Sequence, residues 1–141
     1  MSDSAIARLR QWIRHNISSV VATGVDFAFM IAVVELLHFS PVMGTVVGAA
    51  IGGFTNFMLG RHYTYRAQSR QVSVQVVRYI LVSATSLVLN ALGEHLIVSL
   101  LASNYVLGRI IVATTVNNAW NYPMQRAFVF AQRKAVKEDS A

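Results

Sequence analysis

Pro41-Val42-Met43-Gly44-Thr45-Val46-Val47-Gly48-Ala49-Ala50-Ile51-Gly52-Gly53-Phe54-Thr55-Asn56-Phe57-Met58-Leu59-Gly60 runs without a single ionisable side chain. A helix needs roughly 20 such residues to cross the hydrocarbon core of a bilayer, and this stretch supplies them. Gly44, Gly48 and Gly52 recur at every fourth position, so one face of the helix is smooth and allows close packing of a neighbour. Three further stretches of similar length flank it: Ile17 to Leu37, Tyr79 to Ala102 and Tyr105 to Gln125. Lipid offers the backbone no hydrogen-bond partner, so these spans are expected to be helices, and none shows the strict alternation of a barrel strand. The fold class read from the sequence is all-α: an integral membrane four-helix bundle in one transmembrane domain over residues 1–141.

Composition agrees. Apolar residues make up 55% of the 141 and charged residues only 13%, with mean hydropathy +0.49. An average soluble domain carries about twice that charge, too much for a chain this apolar to match. There is no cysteine, which excludes a disulfide scaffold, a thiol nucleophile and a cysteine metal site. Arg8, Arg10 and Arg14 precede the first span as they would in a signal peptide, but that span is too long for a typical signal core and three more follow, so it is expected to be retained.

The net charge of +6 is unevenly placed. Arg8, Arg10, Arg14, Arg61, Arg66, Arg70, Arg78, Arg126, Arg133, Lys134 and Lys137 fall at the two ends or between the second and third spans. The tight connections His38 to Ser40 and Ser103 to Asn104 have no Lys or Arg. By the positive-inside rule both termini and the central segment, read as a long loop from Arg61 to Arg78, are expected in the cytoplasm. Arg8, Trp12 and their apolar neighbours also suit a short helix lying on the inner leaflet.

The halves resemble one another. Asn56-Phe57-Met58-Leu59-Gly60-Arg61-His62-Tyr63-Thr64-Tyr65 parallels Asn121-Tyr122-Pro123-Met124-Gln125-Arg126-Ala127-Phe128-Val129-Phe130, with Asn, an aromatic, Arg and two more aromatics in register. Upstream, Arg14 stands twelve residues before Asp26, and Arg78 twelve before Asn90. Each half is thus a two-helix unit, and an even number of spans per unit makes the repeat parallel.

In these motifs the chain resembles the GtrA-like membrane proteins, over Arg14 to Phe130. The resemblance implies a role in moving polyprenyl-phosphate-linked sugars across the bacterial cytoplasmic membrane for surface polysaccharide synthesis or glycosylation. Related domains are fused to polyprenyl-phosphate sugar synthases, so a glycosyltransferase is an implied partner. The chain departs from the family pattern at His15 and Ser19, where an aromatic and Gly are expected, at Tyr63, where Trp is commoner, and at Pro123, which has no counterpart at Met58.

Against that background the polar residues become candidates. Arg61 and Arg126 leave the membrane beside aromatics suited to headgroup depth, and a guanidinium grips a phosphodiester through paired hydrogen bonds. Asn56 and Asn121 lie slightly deeper as donors to sugar or phosphate oxygens, and Arg14, Arg78 and Asn117 complete the substrate-binding set. Each has a plainer reading: arginines that mark the cytoplasmic side, and asparagines that glue helices together. Arg109, Ala113, Asn117, Asn121 and Gln125 form a stripe roughly 24 Å long. It is a route for the headgroup or a packing seam. Ser86, Asn90 and Glu94 share one face of the third span, and Asp26 lies deep in the first. An intramembrane carboxylate costs about 3 kcal/mol or more unless paired. Glu94 is expected to meet Arg109, as a structural pair or an outer gate. For Asp26 two options stay open, a snorkelling Arg14 or Arg78, or protonation.

Nothing points to catalysis, a cofactor or a metal: the four histidines lack ligand spacing, and Gly48 to Gly53 lack the Gly-Lys-Ser/Thr of a phosphate loop. The basic flanks suit anionic lipid better than nucleic acid. Three functions compete: a flippase acting as a homodimer or higher oligomer; a non-transporting scaffold for a glycosyltransferase or synthase; and a small drug exporter of the four-helix type, in which an intramembrane carboxylate binds cations. The last needs a weak charge bias, which this chain does not have.

Overall fold

In the computed structural model, which describes residues 3–101 and 105–131, the chain is helical nearly throughout and divides into two compact units, Met1–Arg66 and Ala67–Ala141. The first unit holds α1 (Asp3–Glu35), α2 (Pro41–Leu59) and a π-helical turn, Gly60–Thr64. The second holds α3 (Val72–Leu101) and a helical run in four pieces: α4 (Tyr105–Val116), a π turn (Asn117–Asn121), α5 (Tyr122–Met124) and a last π turn (Gln125–Val129). Asp3–Glu35, Met43–Thr64 and Val72–Ile97 are each long and apolar enough to cross a membrane. The fourth helical run, over 105–129, brings the number of helices to the four expected.

Both units are inside-out by the standard of a soluble protein. Val20 and Leu87 are each 72% exposed, whereas Gln75 is 0% and His15 1% exposed. In water this arrangement would waste apolar surface and bury polar groups at a cost; in lipid it is the stable one.

In the first unit the glycine ladder does what its spacing implies. His15, Ser18, Ala22 and Val33 are the buried residues of α1. Between them Asp26 and Met30 continue the same stripe, and this stripe lies on the glycines of α2. A Cβ at Gly44 would stand 2.6 Å from Val34, at Gly48 2.6 Å from the Asp26 carbonyl oxygen, and at Gly52 2.7 Å from Asp26 Cβ. The two backbones are therefore closer than any side chain on α2 would permit. The hairpin turns through a Schellman-like close: Phe39 N–H reaches Val33 O at 3.3 Å, with His38 in the left-handed region at φ 56°. Ser40 then caps α2, accepting from Met43 N–H at 3.3 Å, and Pro41 occupies a first-turn position where no donor is needed.

In the second unit Gly93 plays the corresponding part, since a Cβ there would stand 2.7 Å from Val112. Gln75, fully buried, donates to Ala67 O at 2.9 Å and ties the incoming chain to the start of α3. The π turn at Asn117–Asn121 precedes Pro123. Proline cannot donate and collides with the carbonyl four residues back, and a register widened by one residue relieves both problems.

Two expectations need correction. The segment around Arg8 and Trp12 is no separate surface helix: α1 is continuous for 33 residues, about 50 Å, so its first turns extend beyond a core of about 30 Å. Nor is Arg61 to Arg78 a long loop. Arg61 lies in a π turn and Arg78 two turns into α3, leaving only residues 65–71 as the connection. Loss of hydropathy marks where a helix leaves lipid, not where it ends.

Candidate functional site

The end of α2 is held to the first part of α1 by a set of polar contacts. Ser18 and Thr64 hydroxyls lie 2.8 Å apart, and Thr64 Oγ1 also donates to Arg14 O at 3.4 Å. Tyr65 Oη meets His15 Nδ1 at 3.0 Å, with both residues buried. The π turn makes this possible. Tyr65 N–H donates to Gly60 O at 2.9 Å, and the wider turn swings Thr64 and Tyr65 onto the face where His15 and Ser18 lie. Arg14 is carried along: its guanidinium carbon stands 5.3 Å from the centre of the Tyr63 ring, a cation–π contact. Arg61, within the same turn, is buried, and Asn56, one turn earlier, is half-buried.

The second unit ends in a comparable way. Phe130 N–H donates to Gln125 O at 2.8 Å. The Arg78 guanidinium lies 4.8 Å from the centre of the Phe128 ring and its Nη1 donates to Phe128 O at 2.9 Å. Where the first unit has Ser18 and Thr64, the second has buried Val82 and Val129; where it has His15 and Tyr65, the second has Tyr79 and Phe130. Arg126 is exposed, unlike Arg61. Deeper in this unit Asn121 Nδ2 donates to Ser86 Oγ at 3.1 Å, Asn90 Nδ2 donates to Ser86 O at 2.8 Å, and Trp120 Nε1 donates to Val82 O at 3.2 Å.

Arg14 is held over the Tyr63 ring and Arg78 over the Phe128 ring, each at the end of its own unit, and Asp26 lies about 18 Å along α1 from Arg14. Asn121 joins α3 through Ser86, the contact expected of a packing asparagine, while Asn117 is half-buried at the start of a π turn. Glu94 is half-buried on α3, but the Arg109 side chain, and with it the expected pair, lies outside the described residues. So do Arg133, Lys134 and Lys137. Among the described residues no group of three His, Asp or Glu side chains comes together to hold a metal.

The hydrogen-bonded pairs of His15 and Ser18 with Tyr65 and Thr64 escaped the sequence reading. The available signal was weak: two polar residues three apart on the buried stripe of α1, and two adjacent ones just after α2.

Residues 14–130 match the model of the GtrA/DPMS transmembrane domain. The chain belongs to the GtrA family. Membership makes it a membrane protein concerned with lipid-linked sugars, and the matched region begins at Arg14 and ends at Phe130, the first and last residues of the contacts just described. No curated relative and no solved structure matches the chain.

Proposed function

We propose that this GtrA-family protein flips a polyprenyl-phosphate-linked sugar across the bacterial cytoplasmic membrane for cell-surface polysaccharide synthesis or glycosylation. One observation carries the proposal: each unit ends in a π turn bearing an arginine, Arg61 or Arg126, beside a ring on which a second arginine, Arg14 or Arg78, is stacked. Two guanidiniums at each unit end suit a phosphodiester held at headgroup depth, where the rings also belong. The π turns occur at matching positions, Gly60–Thr64 and Gln125–Val129, which supports a parallel two-helix repeat. Charge bias supports cytoplasmic termini and puts both arginine clusters on the side where lipid-linked sugars with cytoplasmic donors are made. The prenyl tail stays in lipid while the headgroup crosses. Four helices are few for a closed polar route, so the working form is a homodimer or higher oligomer.

Native mass spectrometry of gently purified protein tests this. The expected result is a retained lipid whose mass fits a polyprenyl phosphate with a sugar, lost in an Arg61→Ala, Arg126→Ala double variant. Retention of bulk phospholipid alone counts against it, and co-purification of a glycosyltransferase without lipid supports a scaffold.

A further inference from the structure

We propose that the groove between α3 and α4 holds a stretch of the polyprenyl tail of the lipid. The inference rests on the lipid substrate proposed above and gives it a second contact, one for hydrocarbon.

The groove lies within the second unit and has a volume of about 450 Å³, inside the range of roughly 300–1,000 Å³ typical of small-molecule sites. Leu89, Gly93 and Leu96 line it from α3, and Ile111, Ala119 and Trp120 from the helical run that starts with α4. Two of these make it hollow: Gly93 has no side chain, and Ala119, in the π turn, has only a methyl group. Val112 and Val116, both buried, form its floor. The polar atoms of the lining side chains are already engaged. Thr115 Oγ1 donates to Ile111 O at 2.8 Å, and Trp120 Nε1 to Val82 O at 3.2 Å. Among the described residues every other side chain on the lining is hydrocarbon. The groove therefore offers a sugar or a phosphate no side-chain partner and suits an apolar chain.

Depth chooses the chain. Trp120 is six residues from Arg126, about 9 Å along the axis, and Leu89 is eleven from Arg78, about 16 Å. From there the groove continues for about 12 Å, to Ile97 and Ile111. With the arginines at headgroup depth, it straddles the middle of a hydrocarbon core about 30 Å thick. An acyl chain of either leaflet ends near that midplane, because each leaflet fills half the core. A polyprenyl chain is longer than half the core, and it reaches the groove whichever face holds its phosphate. Phosphate on Arg78 and Arg126 and tail in the groove are then two linked contacts along the same two helices, and together they hold the whole lipid more tightly than either part. The tail keeps its place at mid-depth while the headgroup crosses.

The test places a photoreactive leucine analogue at Leu96 of the full chain, in liposomes of phosphatidylcholine with a minor share of long-chain polyprenyl phosphate, and identifies the adducts by mass. Polyprenyl adducts at Leu96 should exceed that share several-fold. At Leu87, which is 72% exposed on α3 outside the groove, adducts should follow bilayer composition. Adducts at Leu96 that also follow bilayer composition, or that join it to residues 3–66 or to a second copy of the chain, overturn the tail site and leave the flippase proposal standing. Native mass spectrometry should show several-fold better retention of the long chain than of farnesyl phosphate, whose tail is too short to lie along the groove. Ala119→Phe fills the groove and leaves both arginines in place. It should abolish the preference at Leu96 and the preference for the long chain, while farnesyl phosphate is still retained. A variant that keeps both preferences overturns the proposal. Where Ala119→Phe does not fold, the Leu96 adducts of the parent decide. A parent that retains neither phosphate counts against the substrate proposed above, and the Leu96 adducts still decide what occupies the groove.

Discussion

Gly48 and Gly53 are five residues apart on one helix, and their surroundings assign them opposite sensitivities. A methyl group on Gly48 would be driven into the carbonyl and carboxyl oxygens of Asp26, whereas one on Gly53 would meet nothing within 4 Å. Gly48→Ala should therefore lose about 1–3 kcal/mol in a denaturation titration in mixed micelles, the usual range for overpacking or more, while Gly53→Ala stays within about 1 kcal/mol of the parent. Equal effects would mean that the ladder is not the packing face. Ser18 and Thr64 offer a second test at this scale. Their 2.8 Å contact predicts a coupling of about 0.5–1.5 kcal/mol in a double-mutant cycle of Ser18→Ala and Thr64→Val, and additivity would show the contact absent. The sequence made the first of these legible and not the second. Glycines at every fourth position of an apolar run announce a close approach by themselves. Ser18 and Thr64 are 46 residues apart, and nothing in either neighbourhood says that one will fold onto the other.

At the level of elements, hydropathy located every helix, since crossing lipid leaves the backbone no other option. It misjudged their ends, because polar residues such as Ser73, Gln75 and Arg78 are compatible with a helix that has already left the membrane. The π turns were out of reach for a different reason. They change the hydrogen-bond register by one residue without changing which residues are apolar, so no periodicity reveals them; only Pro123 hinted at one. That link is testable. Pro123→Met, copying the corresponding Met58, removes the collision that widens Asn117–Asn121 and should leave stability unchanged or raise it by about 1–3 kcal/mol, a fraction of the cost of a proline inside a helix. A drop in thermal stability would show that the π turn is needed for packing and not imposed by the proline.

For the molecule as a whole, the basic residues at the ends and in the 65–71 connection predict a single orientation. The native chain has no cysteine, so single-cysteine labelling is free of background. Cysteines replacing Ser4, Ser69 and Ala131 should react from one side, the cytoplasm, and a cysteine replacing Ser40 from the other. Labelling of any one position from both sides would mean dual topology and would revive the exporter alternative. The candidate site was half legible at this scale. The repeated Asn, Arg and aromatic residues gave its components, but the stacking of Arg14 on Tyr63 and of Arg78 on Phe128 depends on α1 and α3 reaching back past the membrane edge to the π turns. The central claim, that these unit ends serve lipid translocation, is tested most directly by following a fluorescent polyprenyl-phosphate sugar in liposomes containing the purified protein, with Arg61→Lys and Arg126→Lys alongside. The account predicts that the parent moves the lipid and that each Lys variant, with charge and topology kept but the planar fork lost, moves it at least several-fold more slowly. Lys variants as fast as the parent, or a parent no faster than empty liposomes, would contradict it.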